Sequence, residues 1–178
     1  MTEKTLEDVC NILPRSRRNT KYGSKQGAYP FFKGTMTVDS FVDSPDYECE
    51  SLIIGDAGVP NINYGYQFSA SNICYILQNK NKSLLNLKYV YYYLYNNLDI
   101  MINLYIGDNN DIKHISKTSI KNIKITIPSI EKQNEIVKYC ENNDNNIKIL
   151  EKEIENNKER MLQYMKDCKQ IKKFFHNP

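Results

Sequence analysis

The residues best suited to chemistry in this chain of 178 residues are basic side chains gathered in one short run. From Arg15 to Lys25 the sequence reads RSRRNTKYGSK, with five Lys or Arg residues and no acidic residue. Cations arranged in this way neutralise phosphate groups, which dominate the affinity of proteins for nucleic acids. Runs of like charge are also typical of solvated, partly disordered loops. The basic run therefore indicates either a phosphate-contacting arm or a solvated loop.

Side chains for catalysis are not arranged in a recognisable constellation. The two histidines, His114 and His176, do not lie at metal-ligand spacing from each other or from any cysteine. The GDAG stretch at 55–58 lacks the lysine and hydroxyl residue of a phosphate-binding loop. The densest acids, at 46–50, have no lysine at the spacing of a Mg²⁺-dependent nuclease and are interpreted as a surface loop. The pattern favours binding over catalysis, with no catalytic residues, no metal and no cofactor.

Cysteine usage and hydropathy indicate where the protein works. The five cysteines, at 10, 49, 74, 140 and 168, are odd in number and form no C-x-x-C pair. This predicts reduced, mostly buried thiols rather than a disulfide framework or a zinc site. No apolar run of membrane-spanning length exists, and the N-terminus lacks the order of a signal peptide. We expect a soluble, cytoplasmic protein that does not enter a membrane.

Strands and loops predicted around the basic run would position its side chains. LIIG at 52–55 and SNICYIL at 71–77 are predicted strands, joined by a turn-rich polar loop, since β-branched and aromatic residues favour strands. A helical period over 84–105 predicts one helix with a mostly buried tyrosine stripe. A helical turn is expected at 116–121, and an alternating strand at 123–127 closes the domain. Rigid strands that carry polar loops are a common way to present binding residues.

The chain changes character within IKITIPSIEKQNEIV, residues 123–137. Pro128 ends the strand, Ser129 is suited to cap a helix, and Glu131 lies in the first turn, where the helix dipole favours negative charge. A helix continuing to Phe175 would extend about 70 Å at ~1.5 Å per residue. Beyond Lys138, hydrophobic residues recur in alternating steps of three and four, which predicts a seam against a partner helix. The seam positions are Cys140, Ile147, Leu150, Ile154, Asn157, Met161, Tyr164, Cys168, Ile171 and Phe175.

Two features weaken this repeat. Placing Cys140 and Ile147 at heptad position a puts asparagine in the seam at Asn143 and Asn157, where a buried amide fixes register at some cost in stability. The run ENNDNN at 141–146 is the weakest helical stretch, so a bend or break there stays open.

In order and spacing, several of these stretches together resemble the specificity subunit of type I restriction–modification systems. The stretches are YGSKQGAYPFF, LIIGDAG, YVYYYL, GDNNDIKHIS and IKNIKITIPSIEKQNEIV. The resemblance covers nearly the whole chain and is most specific at IKITIPSIEKQ. It implies an α+β fold, with a mixed-sheet DNA target recognition domain at 1–128 and a long coiled-coil helix, acting as spacer and dimerisation arm, at 129–178.

The resemblance also implies partners. Members of the family usually carry two recognition domains and two helices, and this sequence carries one of each, so it is interpreted as a half-subunit. Two copies would pair as a homodimer through an antiparallel helix seam and read double-stranded DNA as an interrupted palindrome. Separate methylation and restriction subunits would supply the enzymatic work. An orphan subunit that exchanges with full-length ones stays open within the same family.

Contacts to DNA are expected from two groups of residues. Lysine and arginine would contact phosphates, whereas amide, phenol and imidazole groups on loops would read base edges. Each asparagine could equally be a turn former, and the stretch 107–116 could equally brace the domain against the helix. The expected phosphate contacts are Arg15, Arg17, Arg18, Lys21, Lys25, Lys113, Lys117 and Lys121. The expected base contacts are Asn61, Asn63, Tyr64, Gln67, Asn109, Asn110 and His114.

Two interpretations from other classes compete with this one. A coiled-coil scaffold with a protein-binding globular domain would show no salt-dependent affinity for DNA. A single-chain nuclease or nicking enzyme would need the missing carboxylate cluster and would cleave DNA by itself with Mg²⁺.

Overall fold

A computed structural model describes residues 2–107 and 112–174 of the chain, and the last side chain that it describes is Cys168. The chain divides after Val137 into two units. The first unit contains all the strands described below, and the second is formed by helix. The elements, in chain order, are β1 Thr2–Thr5, α1 Leu6–Val9, β2 Cys10–Ile12, β3 Tyr29–Phe32, β4 Phe41–Val42, β5 Ser51–Gly55, β6 Ile62–Gly65, β7 Ser69–Ala70, β8 Cys74–Asn79, α2 Leu87–Tyr95, α3 Asp99–Ile102, β9 Tyr105–Ile106, β10 His114–Ile115, α4 Lys117–Lys121, β11 Lys124–Ile127 and α5 Ile130–Phe174.

A four-stranded antiparallel sheet, in the order β2-β8-β5-β6, forms the centre of the first unit. A three-stranded sheet is mixed, because β3 pairs antiparallel with β4 and parallel with β7. Two-stranded antiparallel pairs join β1 to β11 and β9 to β10. Together with the long helix, these mixed sheets confirm the predicted α+β class.

Both faces of the central sheet are buried, which explains the uninterrupted apolar run of β5. Leu52 and Ile54 belong to a larger core cluster, whereas Ile53 between them belongs to a smaller one. The same alternation holds in β8, where Tyr75 lies in the larger cluster and Ile76 in the smaller. Successive side chains of a strand point to opposite faces, so a strand covered on both faces needs no polar alternation.

The helix predicted over 84–105 is wrong as a single element, because the chain forms α2, α3 and β9 in its place. Asn96 Nδ2 donates to Tyr92 O at 2.9 Å, and Asn97 Nδ2 donates to Tyr93 O at 2.7 Å. Asparagine side chains that bond nearby backbone compete with helix continuation. Tyr95 on α2 is exposed, whereas the three tyrosines at 91–93 are half-buried.

The strands around the candidate site follow the predictions with shifted bounds. The expected strand at 52–55 is β5, and the one expected at 71–77 begins three residues later as β8. The expected helical turn is α4, which Ser116 caps by accepting from Ser119 N–H at 3.0 Å. The closing strand is β11, paired with β1.

Helix α5 begins as predicted after Pro128, with Ser129 Oγ accepting from Lys132 N–H at 3.4 Å. Gln133 is fully buried and ties this first part of the helix to the first unit. Its Nε2 donates to Leu84 O at 3.1 Å and to Pro128 O at 3.0 Å, and its Oε1 accepts from Asn86 N–H at 2.8 Å. The family-like IEKQ stretch therefore contains the residue that docks the helix start.

In the second unit, α5 continues without a break through 141–146. Of the seam residues between Cys140 and Cys168, the large apolar ones are each more than half exposed. Ile171 lies in the helix without a described side chain, and Phe175 lies outside the described residues. A seam exposed along a single helix is apolar surface that a partner could cover.

The five cysteines are free, but the expectation that they are mostly buried is wrong. Only Cys10 and Cys74 are buried, and burial raises the pKa of their thiols to about 12 and about 11. Cys49 and Cys168 are exposed because they lie on a loop and on the outside of a single helix. Among the helices within residues 2–107 and 112–174, none combines the length and the hydropathy that a membrane span requires.

Candidate nucleic-acid interface

Three stretches of the first unit meet at Asp56, which directly follows β5. The backbone N–H of Asp56 donates to Ile73 O at 2.8 Å, and its carbonyl accepts from Ile115 N–H at 2.9 Å. The N–H of Gly58 donates to Lys113 O at 2.9 Å. These bonds join the loop after β5 to the turn before β8 and to strand β10. We call this place the Asp56 junction.

Arg15 of the basic run is bound at the Asp56 junction. Its Nη1 donates to Asp56 Oδ2 at 2.5 Å and to Asn72 O at 3.1 Å, and its guanidinium lies 3.9 Å from the centroid of the Tyr75 ring. Burial alone would lower the pKa of Arg15, but the hydrogen bond and charge of Asp56 raise it above its usual value. The side chain is still 37% exposed. The guanidinium is therefore held in one position with part of it facing solvent.

His114 lies beside the other carboxylate oxygen of the same acid. Its Nδ1 is 4.0 Å from Asp56 Oδ1, which is beyond hydrogen-bond distance. Among the described residues, Asp56 Oδ1 is the buried side-chain oxygen without a hydrogen-bond partner. The imidazole is 61% exposed, and Lys113 next to it is exposed as well. The fold thus brings together three of the predicted contact residues, Arg15, Lys113 and His114.

Arg18 holds the basic run at a second point. It forms a bidentate pair with Asp46, and its guanidinium lies 3.9 Å from the centroid of the Tyr22 ring. Hydrogen bonding by Arg18 lowers the pKa of Asp46. The carbonyl of Arg18 also accepts from Asn72 N–H at 2.7 Å. The basic run is therefore held by specific contacts at Arg15 and Arg18, while most of its residues are exposed to solvent.

The other cations of the basic run face solvent. Arg17 and Lys21 are exposed, and within the described part of the chain neither pairs with an acid. Lys25 Nζ lies 3.3 Å from Asp39 Oδ2, with its side chain 83% exposed. The ordered loop presents these cations from a fixed backbone.

The stretch 61–67, expected to be a loop, is largely strand β6 because it pairs with β5. Asn61 is buried, with Oδ1 accepting from Gly55 N–H at 3.2 Å and Nδ2 donating to Gly34 O at 2.8 Å. Asn63 is also buried, and its Nδ2 donates to Thr35 O at 2.9 Å. Both amides are used to hold the 33–35 turn against the sheet, so neither side chain is placed to reach a base.

The two further side chains expected from this stretch lie nearer the surface. Tyr64 is half-buried and donates to Glu50 Oε1, with Lys88 Nζ 5.4 Å from its ring centroid. Gln67 is half-buried in the turn after β6 with a φ of 53°, a conformation that residues other than glycine rarely adopt. No described contact links either residue to the Asp56 junction.

The remaining expected contacts lie around β10 and α4. Lys117, the first residue of α4, is exposed, whereas Lys121 pairs with Glu7 Oε1 at 2.6 Å. Asn109 and Asn110 lie outside the described residues. Within the described residues, no group of three or more His, Cys, Asp or Glu side chains could hold a metal ion.

Residues 1–159 match the model of a known family, described as the type I restriction modification DNA specificity domain. The chain belongs to this family. The resemblance in the sequence is thereby confirmed for most of the chain. A similar protein, the putative type I restriction enzyme specificity subunit of Haemophilus influenzae, is 29% identical over 145 residues, which cover 78% of this chain and 36% of the relative.

Solved structures of specificity subunits share the fold. The S subunit of a type I restriction–modification system from M. genitalium has a TM-score of 0.74 at 18% identity, covering 89% of this chain and 42% of its own. The HsdS subunit from Thermoanaerobacter tengcongensis has a TM-score of 0.56 at 18% identity, covering 84% and 38%. The chain thus spans about two fifths of the length of these subunits.

Asp56, the residue that organises this candidate site, is not among the contacts predicted from the sequence. The signal that could have found it is its place in GDAG. An acid directly after a fully apolar strand is typical of a buried, paired carboxylate. Tyr75 is a strand residue by its sequence pattern, yet its ring also stacks on Arg15.

A cavity of about 320 Å³ lies elsewhere in the first unit. It is lined by residues of β1, the stretch 79–85 and the start of α5, among them Lys4, Lys80 and Leu84. None of the expected DNA contacts lines it, so it is separate from the candidate interface.

Proposed function

We propose that this chain binds double-stranded DNA sequence-specifically and reads one half of a bipartite target, as a specificity component of a cytoplasmic type I restriction–modification system. It does no chemistry itself and assembles with separate methylation and restriction subunits. Membership of the DNA specificity domain family and the fold shared with specificity subunits support this proposal.

The observation that carries the proposal is the ordered basic face around the Asp56 junction. Arg15 is fixed by Asp56 and Tyr75. His114 is the first residue of the adjacent strand β10, and Lys113 is the residue before it. Preorganised cations bind at lower entropic cost than those on a disordered loop. Exposed cations next to a donor and acceptor group such as imidazole suit a site that combines phosphate and base-edge contacts.

Roles follow from pairing and exposure. Arg17, Lys21, Lys113 and Lys117 contact phosphates, because their side chains are exposed. Lys25 does so as well, because its side chain is 83% exposed despite its pairing with Asp39. Arg15 and Arg18 already pair with acids, so their first role is to fix the loop, and the exposed part of Arg15 adds a contact. Lys121, paired with Glu7, contributes less.

Base readout comes from His114 and Gln67, with Asn109 and Asn110 as further candidates. Tyr64 contributes through its half-buried ring and hydroxyl. Asn61 and Asn63 act by shaping the sheet on which these residues lie.

The second unit supplies the other half of the proposal. Two copies pair antiparallel through the exposed seam of α5, with the domain at 1–128 packed on the first turns of the spacer at 129–178. A twofold pair presents two identical reading surfaces, so the target is an interrupted palindrome and the helix sets its gap.

Salt-dependent DNA binding tests the proposal. The Arg17→Ala/Lys21→Ala double variant should bind a mixed-sequence duplex more weakly than the unaltered chain. The slope of log affinity against log salt should fall by about 2, because each lost phosphate contact removes about 0.9 from it. Fluorescence anisotropy over a salt series measures both quantities.

Lys82→Ala is the matched control, since Lys82 is an exposed lysine outside the basic face. It should leave affinity and slope unchanged. An unaltered chain that shows no salt-dependent affinity for DNA would instead favour the protein-binding scaffold, for which the cavity beside β1 is the place to look. Mg²⁺-dependent cleavage by the purified chain would favour a nuclease.

A further inference from the structure

The exposed seam of α5 carries charges at the positions that flank it. With Cys140 and Ile147 at heptad position a, Glu151 and Lys158 fall at position e. Glu153 and Arg160 fall at position g on the other side of the seam. All four side chains are exposed, and Lys158 Nζ lies 3.4 Å from Glu155 Oε2 within the same helix. Charges at e and g set partner choice and orientation in coiled coils.

We propose that two copies of this chain pair antiparallel through α5 in one register, with Ile154 of one copy opposite Asn157 of the second copy. This register rests on the dimer of the proposed function and specifies which residues meet. When one helix is reversed, e positions face e positions and g positions face g positions. Glu151 then meets Lys158 of the second copy, and Glu153 meets Arg160 of the second copy. Twofold symmetry doubles each pair, so four opposite-charge pairs flank the seam.

The neighbouring registers are disfavoured by like charges. A shift of one heptad in one direction places Glu151 opposite Glu151 and Glu153 opposite Glu153 of the second copy, and it keeps opposite charges together only where Lys158 meets Asp144. A shift of one heptad in the other direction places Lys158 opposite Lys158 and Arg160 opposite Arg160. Like charges that face each other across a helix pair repel and suppress the wrong partner geometry. The proposed register avoids all of these contacts.

A parallel in-register pair uses these charges less completely. In that geometry a g position faces the e position five residues later on the second copy. Glu153 would meet Lys158, but Glu151 would face Asn146 and Arg160 would face Met165. Of Glu151, Glu153, Lys158 and Arg160, the parallel pair satisfies two, whereas the antiparallel register satisfies all four. A further flanking acid, Asp167 at position g, would meet Lys172 in the parallel pair and Asn146 in the antiparallel register, so the orientation is left to the cross-linking test below.

Charge reversal in the full chain tests the register. The Glu151→Lys variant and the Lys158→Glu variant should each weaken self-association about tenfold, because each turns two attractive pairs repulsive. An equal mixture of the two variants should restore association, because each new lysine then meets a new glutamate. Glu159→Lys, at outward position f, is the matched control and should associate normally. Analytical ultracentrifugation measures these constants.

Cross-linking gives an independent readout of orientation. In a background of Cys49→Ser, Cys140→Ala and Cys168→Ala, the register places Ile147 opposite Tyr164 of the second copy. A mixture of Ile147→Cys and Tyr164→Cys variants should form an intermolecular disulfide. Neither variant should do so alone, because in this register the same position on the two chains is about 25 Å apart along the helix pair, at ~1.5 Å per residue.

The outcomes separate this inference from the proposed function. A dimer in which Ile147→Cys cross-links to itself, or in which Glu151→Lys has no effect, overturns the register and leaves dimerisation standing. A chain that stays monomeric at all concentrations overturns dimerisation itself. Loss of DNA binding with an intact dimer would count against the recognition proposal alone.

Discussion

Single residues in the first unit divide between holding the fold and facing a ligand, and hydrogen bonds decide which. Asn61 is an amide of the kind that reads bases, but it bonds to Gly34, Gly55 and Val59 inside the protein. Arg15 is a cation of the kind that contacts phosphate, but it is first the partner of Asp56. A side chain is free to read DNA only when the fold does not already use it.

Replacing Asn61 should therefore damage stability more than replacing Asn63. Asn61→Ala removes the side-chain partner of two buried backbone groups, Gly55 N–H and Gly34 O, and of the part-buried Val59 O, and should lower the free energy of unfolding by about 2–4 kcal/mol. Asn63→Ala removes one hydrogen bond, to Thr35 O, and should cost about 1 kcal/mol. Urea denaturation followed by near-ultraviolet circular dichroism measures both. Equal losses would contradict the structural role assigned to Asn61.

Among the elements, α5 has two parts that its sequence pattern does not separate. Its first two turns belong to the first unit, where Gln133 and Val137 are buried. Its later turns carry exposed apolar residues. The compact unit therefore extends nine residues past Pro128, and a truncation after Pro128 would remove part of its own core. The first unit needs the chain through Val137 to keep that core complete.

Gln133 should be important to the stability of the first unit. Gln133→Ala leaves Leu84 O, Pro128 O and Asn86 N–H without their partner, so the free energy of unfolding should fall by about 2–4 kcal/mol. Lys138→Ala, on an exposed position of the same helix, is the matched control and should change it by less than about 0.5 kcal/mol. Thermal and urea unfolding provide the measurement. A Gln133 variant as stable as the control would show that the helix start is held by apolar contacts alone.

For the whole molecule, the proposed pairing would link the exposed seam to the DNA target through symmetry. Ile147 lies on the seam and Ile149 lies off it, and both are more than half exposed. Only the first should matter to pairing, because a charge at position a is buried when two helices meet.

Ile147→Lys should therefore convert a dimer to a monomer, whereas Ile149→Lys should not. Multi-angle light scattering of the full chain distinguishes the two results. The monomer should also lose its preference for an interrupted palindrome over a single half-site while keeping salt-dependent DNA binding. Identical behaviour of the two variants would place the pairing surface elsewhere on the molecule.

Sequence alone determined the features that depend on neighbouring residues. Apolar runs, turn residues and the cap at Ser129 predicted β5, α4, β11 and the start of α5, because these patterns act within a few residues. The order of these stretches also led to the family. Asparagines at 96 and 97 are the local signal against one long helix, since side-chain bonds to the preceding turn end α2 there.

Only the tertiary structure decided which predicted contacts come together. Arg15 meets Asp56, 41 residues away, and Asn61 turns inward to Gly34, 27 residues away. Such pairings depend on how strands are ordered in the sheets, and no local pattern of residue types contains that order. The same reason explains why the basic run, ambiguous as a stretch of sequence, is an ordered loop in the folded protein.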